Sequence, residues 1–238
     1  MSHLQLQPRR AFQAARILAS DPDDLPQVFT IIESLSANTI HRIASRMQRS
    51  EGGRRLLASR PDIVKLLADR AALAKLPEGS LGRAYLAFVD REKISAEGIR
   101  AAASKGMSHD ADLPAPLDFV HARMRDTHDL WHAVTGYSGD VLGESALLGF
   151  IFAQTWNPGV AFILGIAFTK TIGSKIGDGP EARRVILDGF RRGQKAAWLP
   201  EQEWESMLAL PLEEVRRRLK VGAPAIYREV RSSELKAA

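Results

Sequence analysis

The residues with the clearest chemical potential are His128, Asp129 and His132, followed after eleven intervening positions by Glu144, all in the stretch RMRDTHDLWHAVTGYSGDVLGESALLGFIFAQTWNPGVAFILG. On an α-helix each residue turns by about 100°, so His128 and His132 stack one turn apart, with Asp129 about 60° round from His132. Those three side chains span an arc narrow enough to converge on one ion. Gly136 is a usual helix terminator, and Asp140 can cap the exposed donors of a following helix. His132 lies four residues before Gly136 and Glu144 four after Asp140, so an antiparallel hairpin brings both about one turn, roughly 6 Å, from the bend. Gly143 is expected to let the two helices approach closely.

Two imidazoles and two carboxylates suit zinc best and iron or manganese nearly as well. The chain has no cysteine, so thiolate sites and disulfides are excluded. An HExxH peptidase is disfavoured, because Asp129 stands where the glutamate base belongs and is one methylene shorter. Arg125, four residues before Asp129, could brace that carboxylate or form an ordinary exposed pair. His121 is about 10 Å along the axis from His128, too far to share an ion. His109 and Asp110 repeat an HD doublet without the further ligands that HD phosphohydrolases need, and are read as coincidence.

These residues require helices to carry them, and the pattern supplies helices almost everywhere. Apolar side chains recur at helical spacing in Val28, Ile31, Ile32 and Leu35, in Ile40, Ile43 and Met47, and in Ile63, Leu66 and Leu67, with no convincing alternation of strand type. The 238 residues are read as one all-α domain. Residues 1–20 form a first amphipathic helix, 21–104 an N-terminal helical half, 115–220 a metal- and lipid-binding half, and 221–238 a tail. Breaks are expected at 50–53 (SEGG), 77–80 (PEGS), 105–116 and 173–180. Pro61, Pro180 and Pro211 stand at helix starts. From Ser145 to Thr169 there is no charge, a length worth testing as a membrane span. Asn157, Pro158 and Gly159 interrupt it, so two shorter helices are expected, buried in the core or lining an apolar cavity or channel.

The net charge of +5 permits an anionic partner, but the 33 basic and 28 acidic residues are mostly interleaved. Arginines are densest at 183, 184, 191, 192 and 216–218, without a nucleic-acid-binding signature, so nucleic acid is not expected as a partner. The N-terminus lacks a secretory signal.

At these residues the chain resembles the coenzyme Q biosynthesis protein 4 family, whose mark is HDxxH, eleven residues, then Glu. The likeness extends through Arg123, Arg125, Gly136, Gly143 and Gln154, through LPEGSLGRAYLAFVD at 76–90, and through GFRRGQKAAWLPEQEWESMLALPLEEVRRRL, covering roughly residues 20 to 220. After Gln154 this chain has TWNP where the family has something near TGLP, and Leu148 and Phe152 stand at positions often charged.

The resemblance implies a helical, membrane-associated protein of ubiquinone biosynthesis that holds zinc through His128, Asp129, His132 and Glu144. It further implies oxidative removal of a ring carboxylate at C1 of a polyprenylated 4-hydroxybenzoate derivative, or the organising of the enzymes that build the quinone. Arg123, Arg125 and Gln154 become candidates for bracing the site or meeting the substrate head. Leu147, Leu148, Phe152 and Phe162 become candidates for the wall of a channel around the prenyl tail. The expected partners are a polyprenylated aromatic lipid, other quinone biosynthesis proteins, a membrane surface and a second copy of the chain. The expected location is a bacterial cytoplasm, at the inner membrane. The alternatives are a lipid-binding scaffold without catalysis and a relative that acts on another isoprenoid lipid.

Overall fold

The computed structural model describes residues 6–20, 24–36, 38–106, 113–170 and 179–230. In chain order the helices are α1 (Pro8–Ser20), α2 (Leu25–Leu35), α3 (Thr39–Met47), α4 (Glu51–Ser59), α5 (Ile63–Ala68), α6 (Arg70–Ala74), α7 (Leu81–Glu92), α8 (Ala96–Gly106), α9 (Leu117–Asp126), α10 (His128–Thr135), α11 (Val141–Thr155), α12 (Pro158–Lys170), α13 (Gly179–Lys195), α14 (Trp204–Met207) and α15 (Leu212–Leu219). No strand occurs among the described residues beyond an isolated antiparallel bridge between Ser80 and Pro211. The chain is a single all-α domain, as the apolar periodicity predicts.

Local chemistry sets many of the boundaries. Ser50, Asp62, Asp69, Ser80 and Asp140 each accept a backbone N–H at the head of the helix that follows, which satisfies donors no helical carbonyl can reach. The stretch at 50–53, expected as a linker, is instead the cap and first turn of α4. A Cβ on Gly53 would lie 2.2 Å from the Met47 carbonyl, so the glycine lets α4 fold tightly back on α3. His109 and Asp110 lie outside the described residues.

The uncharged segment divides as its Asn-Pro-Gly break requires, into α11 and α12, with Trp156 in the left-handed region (φ 50°) as the C-cap of α11. No described helix is long and apolar enough to cross a membrane. α11 carries apolar residues on every face because it runs through the interior. On one side Leu147 and Phe150 join a core with Trp131, Tyr85, Trp204 and Leu130. On another side α11 packs against α13, where a Cβ on Gly189 would meet the Ala146 carbonyl at 2.2 Å. Further out, α1, α2 and α12 form their own cluster around Ala14, Leu18, Ile31 and Ile163. Between that outer group and the main core lies a large cavity.

Candidate metal centre

α10 begins at His128 because the chain breaks its helix for one residue at Thr127, whose hydroxyl donates to the Arg123 carbonyl at 2.8 Å. The residues that read as one helix through 121–135 are therefore two, α9 and α10. α10 ends at Gly136 with φ +79°, a conformation that glycine adopts without steric penalty. The exposed carbonyls at this end are then taken by arginines. Arg216 Nε donates to Val134 at 2.8 Å, and Arg192 donates to Thr135 at 2.7 Å while lying 4.7 Å over the Tyr137 ring. Two members of the C-terminal basic cluster thus serve the interior rather than an outer charged patch.

The bend at 136–140 brings His128, His132 and Glu144 together, with one ligand atom of each within 4.8 Å of the others. His132 Nε2 stands 3.2 Å from Glu144 Oε1, and His128 Nε2 stands 3.9 Å from Glu144 Oε2. The hairpin spacing and the i, i+4 stacking of the two imidazoles are realised. Asp129 is placed one step outward, its Oδ1 3.2 Å from His128 Nδ1. A carboxylate only accepts, so that nitrogen carries a proton and the lone pair of His128 sits on Nε2, toward the other two residues. A carboxylate behind a histidine is a common brace for a metal ligand.

His132 is built the same way with different parts. Its Nδ1 donates to the Tyr137 carbonyl at 3.0 Å, which leaves the lone pair on Nε2. That Nε2 is buried and has no hydrogen bond of acceptable geometry, although the Glu144 oxygen is close. A buried nitrogen without a well-formed hydrogen bond, aimed at a carboxylate, is costly unless a cation, proton or metal, lies between the two. The donor set and the orphaned nitrogen therefore fit a divalent metal. The Phe88 ring stacks on His132 at 4.7 Å and holds its plane.

The electrostatics agree. Burial opposes a charge on His132, yet Glu144, helped by Asp129 and the Tyr137 carbonyl, outweighs it and holds the imidazole above its ordinary 6.5. Burial likewise pushes Glu144 up, but His132 and then His128 pull it below its ordinary 4.5. A proton on the His132 and Glu144 pair thus occupies the role that a cation would fill.

The cavity of about 1060 Å³ reaches this cluster, with His128, Asp129 and Glu144 in its wall. The rest of its lining is mainly aliphatic, with contributions from Ile32, Ile43, Leu148, Val160 and Ile163. Of the channel residues expected from the sequence, Leu148 lines it. Leu147 is instead packed in the main core, Phe152 stacks with Trp156 and Phe190, and Phe162 packs in the α1–α2–α12 cluster.

Among the polar candidates, Arg125 lines the cavity and donates to Asp126 at 2.9 Å rather than to Asp129. Arg123 is buried in a bidentate pair with Glu205 at 2.8 and 2.9 Å. Gln154 is a cross-brace, donating to the Gly193 carbonyl at 2.5 Å and accepting from the Leu199 N–H at 2.8 Å. Arg123 and Gln154 thus join helices and do not line the cavity. Gly143 makes room for the Ser138 carbonyl and the Tyr227 hydroxyl, which a Cβ would meet at 2.2 and 2.7 Å, rather than for a neighbouring helix. Phe88, the Tyr137 carbonyl and Tyr227 also contribute and have no local signal, since a backbone carbonyl has no sequence signature and the two rings come from distant segments.

A family profile described as coenzyme Q (ubiquinone) biosynthesis protein Coq4 matches residues 7–225. The mitochondrial ubiquinone biosynthesis protein coq4 of Talaromyces stipitatus is 32% identical over 193 residues, covering 81% of this chain and 63% of that protein. The coq-4 protein of Neurospora crassa is 31% identical over 196 residues, covering 82% of this chain and 53% of that protein. The chain therefore spans less than two thirds of the length of these relatives. A crystal structure from Nostoc punctiforme PCC 73102, of a protein assigned by name to ubiquinone biosynthesis, superposes with a TM-score of 0.68 at 22% identity. It covers 92% of this chain and 100% of that one, a likeness of fold.

Proposed function

The chain belongs to the coenzyme Q (ubiquinone) biosynthesis protein Coq4 family, and from that premise we propose that it is a metal-dependent enzyme acting on a polyprenylated 4-hydroxybenzoate-derived ring. The reaction is loss of the ring carboxylate at C1 and its replacement by hydroxyl. This is a two-electron oxidation in which the carboxylate leaves as CO₂, water supplies the hydroxyl oxygen and dioxygen, as the acceptor, is reduced to hydrogen peroxide. His128, His132 and Glu144 hold the ion, zinc by the donor set, with iron or manganese also suited. When bound, the cation supplies Lewis acidity that stabilises negative charge on the ring oxygen. Asp129 and the Tyr137 carbonyl keep the two imidazoles in the tautomer that coordinates.

The observation that carries this reading is the opening of the ligand cluster into a mainly aliphatic cavity. At about 1060 Å³ it stands at the upper limit of the roughly 300–1,000 Å³ usual for small-molecule sites, the size expected for a ligand with a long tail. Each buried CH₂ of such a tail contributes about 0.8 kcal/mol, which holds the head at the polar end and keeps water out. Partners beyond the lipid are a second copy of the chain, other quinone biosynthesis proteins and a membrane surface. α1 supports the last of these, exposing Phe12 (62%) and Ile17 (46%) beside exposed Arg9 and Arg16. A site at the bacterial inner membrane belongs to the same proposal.

Incubating the purified chain and a divalent metal with a prenylated 4-hydroxybenzoate derivative under oxygen is the direct test. Release of CO₂ with gain of a ring hydroxyl is expected from the wild type and not from His132→Ala. Lipid retention without turnover would favour the scaffold, in which the ion staples α10 to α11. Retention of an unrelated isoprenoid would favour the third reading.

A further inference from the structure

Residues 221–230, the described part of the expected tail 221–238, cross the outside of the bend that forms the ligand cluster. Pro224 packs on Gly136, whose Cβ, if it had one, would stand 3.0 Å from the proline Cδ. Glu229 accepts from the Ser138 hydroxyl at 2.5 Å and pairs with Arg91 at 3.1 Å, and the Val230 N–H donates to Asp140 Oδ1 at 2.8 Å. At the centre of the crossing, the Tyr227 hydroxyl donates to Asp140 Oδ2 and accepts the Ser138 N–H at 3.1 Å.

The Ser138 N–H belongs to the same peptide unit as the Tyr137 carbonyl, and that carbonyl accepts from His132 Nδ1 at 3.0 Å. The donors and acceptors therefore run in one direction, from His132 through the peptide and the phenol to a carboxylate that is itself 2% exposed. Aligned hydrogen bonds polarise one another, and a more negative carbonyl behind an imidazole makes the far nitrogen a better donor to a cation. Asp140 is also the N-cap of α11 and places Glu144 one turn along, so both ligands are referred to the same hydroxyl. The Tyr227 ring meets Tyr137 edge to face at 5.3 Å, which fixes the phenol independently of its hydroxyl. Burial, and then the bond to Asp140, keep the phenol protonated far above its ordinary value.

We propose that Tyr227 is a positioning residue of the metal centre, the middle link of a hydrogen-bonded chain from the Asp140 carboxylate through the Tyr137–Ser138 peptide to the outer nitrogen of His132. The proposal rests on the reading that His132 holds a divalent cation. Outer partners of metal-bound histidines typically change affinity by about 10- to 100-fold when removed.

The test compares Zn²⁺ dissociation constants, measured by chelator competition on the full chain, for the wild type, Tyr227→Phe, Asp140→Asn and Arg91→Ala, with a melting curve of each without metal. Tyr227→Phe keeps the ring contact and removes only the hydroxyl, and it is expected to weaken Zn²⁺ about tenfold. Asp140→Asn retains an oxygen for capping but reverses the last link, and is expected to weaken it similarly. Arg91→Ala removes the ion pair with Glu229 and a 2.8 Å hydrogen bond to the Ser138 hydroxyl, neither of them a link in the chain from His132 to Asp140, and its constant is expected to match the wild type. Wild-type affinity in both Tyr227→Phe and Asp140→Asn would overturn this inference alone, as would equal weakening in Arg91→Ala. A wild-type chain that binds no Zn²⁺ would overturn the metal reading together with it.

Discussion

The two ends of the cavity are held by different forces. At the polar end nearly every group is fixed by a directional bond: His132 by the Tyr137 carbonyl and Phe88, His128 by Asp129, and the bend by Asp140, Tyr227, Arg192 and Arg216. At the apolar end the wall is made mainly by Ile32, Leu148, Val160 and Ile163 from α2, α11 and α12, which touch one another through aliphatic contact, with a Ser36–Asn157 hydrogen bond of 2.9 Å between the ends of α2 and α12 as the directional exception. Directional bonds specify position to a few tenths of an ångström, whereas aliphatic contact specifies mainly volume. A site that must hold an ion and accept a flexible chain has use for both.

The sharpest way to break that contrast is to remove a directional brace. Arg123 holds α9, the helix leading into α10, to Glu205 through a buried bidentate pair. Arg123→Ala leaves a carboxylate behind and is expected to cost about 3–5 kcal/mol in chemical denaturation. At temperatures where the variant is folded it should still bind one Zn²⁺, because Arg123 touches no ligand. Wild-type stability would contradict the assignment of Arg123 as a brace and return it to the candidates for the substrate head.

The second effect is in pH, and it reports on the end that holds the His132 and Glu144 pair. Without metal, His132 sits above 6.5 and Glu144 below 4.5. The histidine's contribution to stability is complete below its unfolded value and is lost as pH rises through the raised folded one. The carboxylate's contribution is complete above its unfolded value and is lost as pH falls through the lowered folded one. The metal-free chain should therefore be most stable between about 4.5 and 6.5. With metal the order reverses, since the proton competes with the ion. Zn²⁺ affinity should begin to weaken on acidification as the pH falls through the raised histidine value. Melting temperatures with and without Zn²⁺ should therefore converge on acidification and separate as pH rises. Parallel curves would contradict the coupling.

The smallest effect is expected at the apolar end. Leu148→Met conserves volume, so it should cost under about 1.5 kcal/mol. It should leave Zn²⁺ affinity unchanged while altering the length of prenyl chain that the protein retains, read by mass spectrometry of extracted lipid. A loss of metal in this variant would show that the two ends are not independent.

The same contrast explains what was legible in the sequence. Helical periodicity, the Gly136 stop, the Asp140 cap and the Asn157-Pro158-Gly159 break are local signals, and each is found where the residues place it. The break at Thr127 has neither glycine nor proline to announce it, so α9 and α10 read as one helix. The roles of Arg123 and Gln154 depend on Glu205, Gly193 and Leu199, far along the chain, so their polarity suggested the site while their contacts are structural. Phe152 and Phe162 looked alike in an apolar run, because a helix that is apolar on every side gives no hint of which face meets a cavity. Tyr227 was invisible for the same reason: its partners lie 87 and 89 residues away.

The central claim is that His128, His132 and Glu144 act together on one divalent cation, and the most direct measurement is metal content per chain. Elemental analysis after exhaustive dialysis against buffer with a trace of Zn²⁺ should give one equivalent for the wild type and close to none for His132→Ala and Glu144→Ala. Equal metal in all three proteins, or none in the wild type, would contradict it.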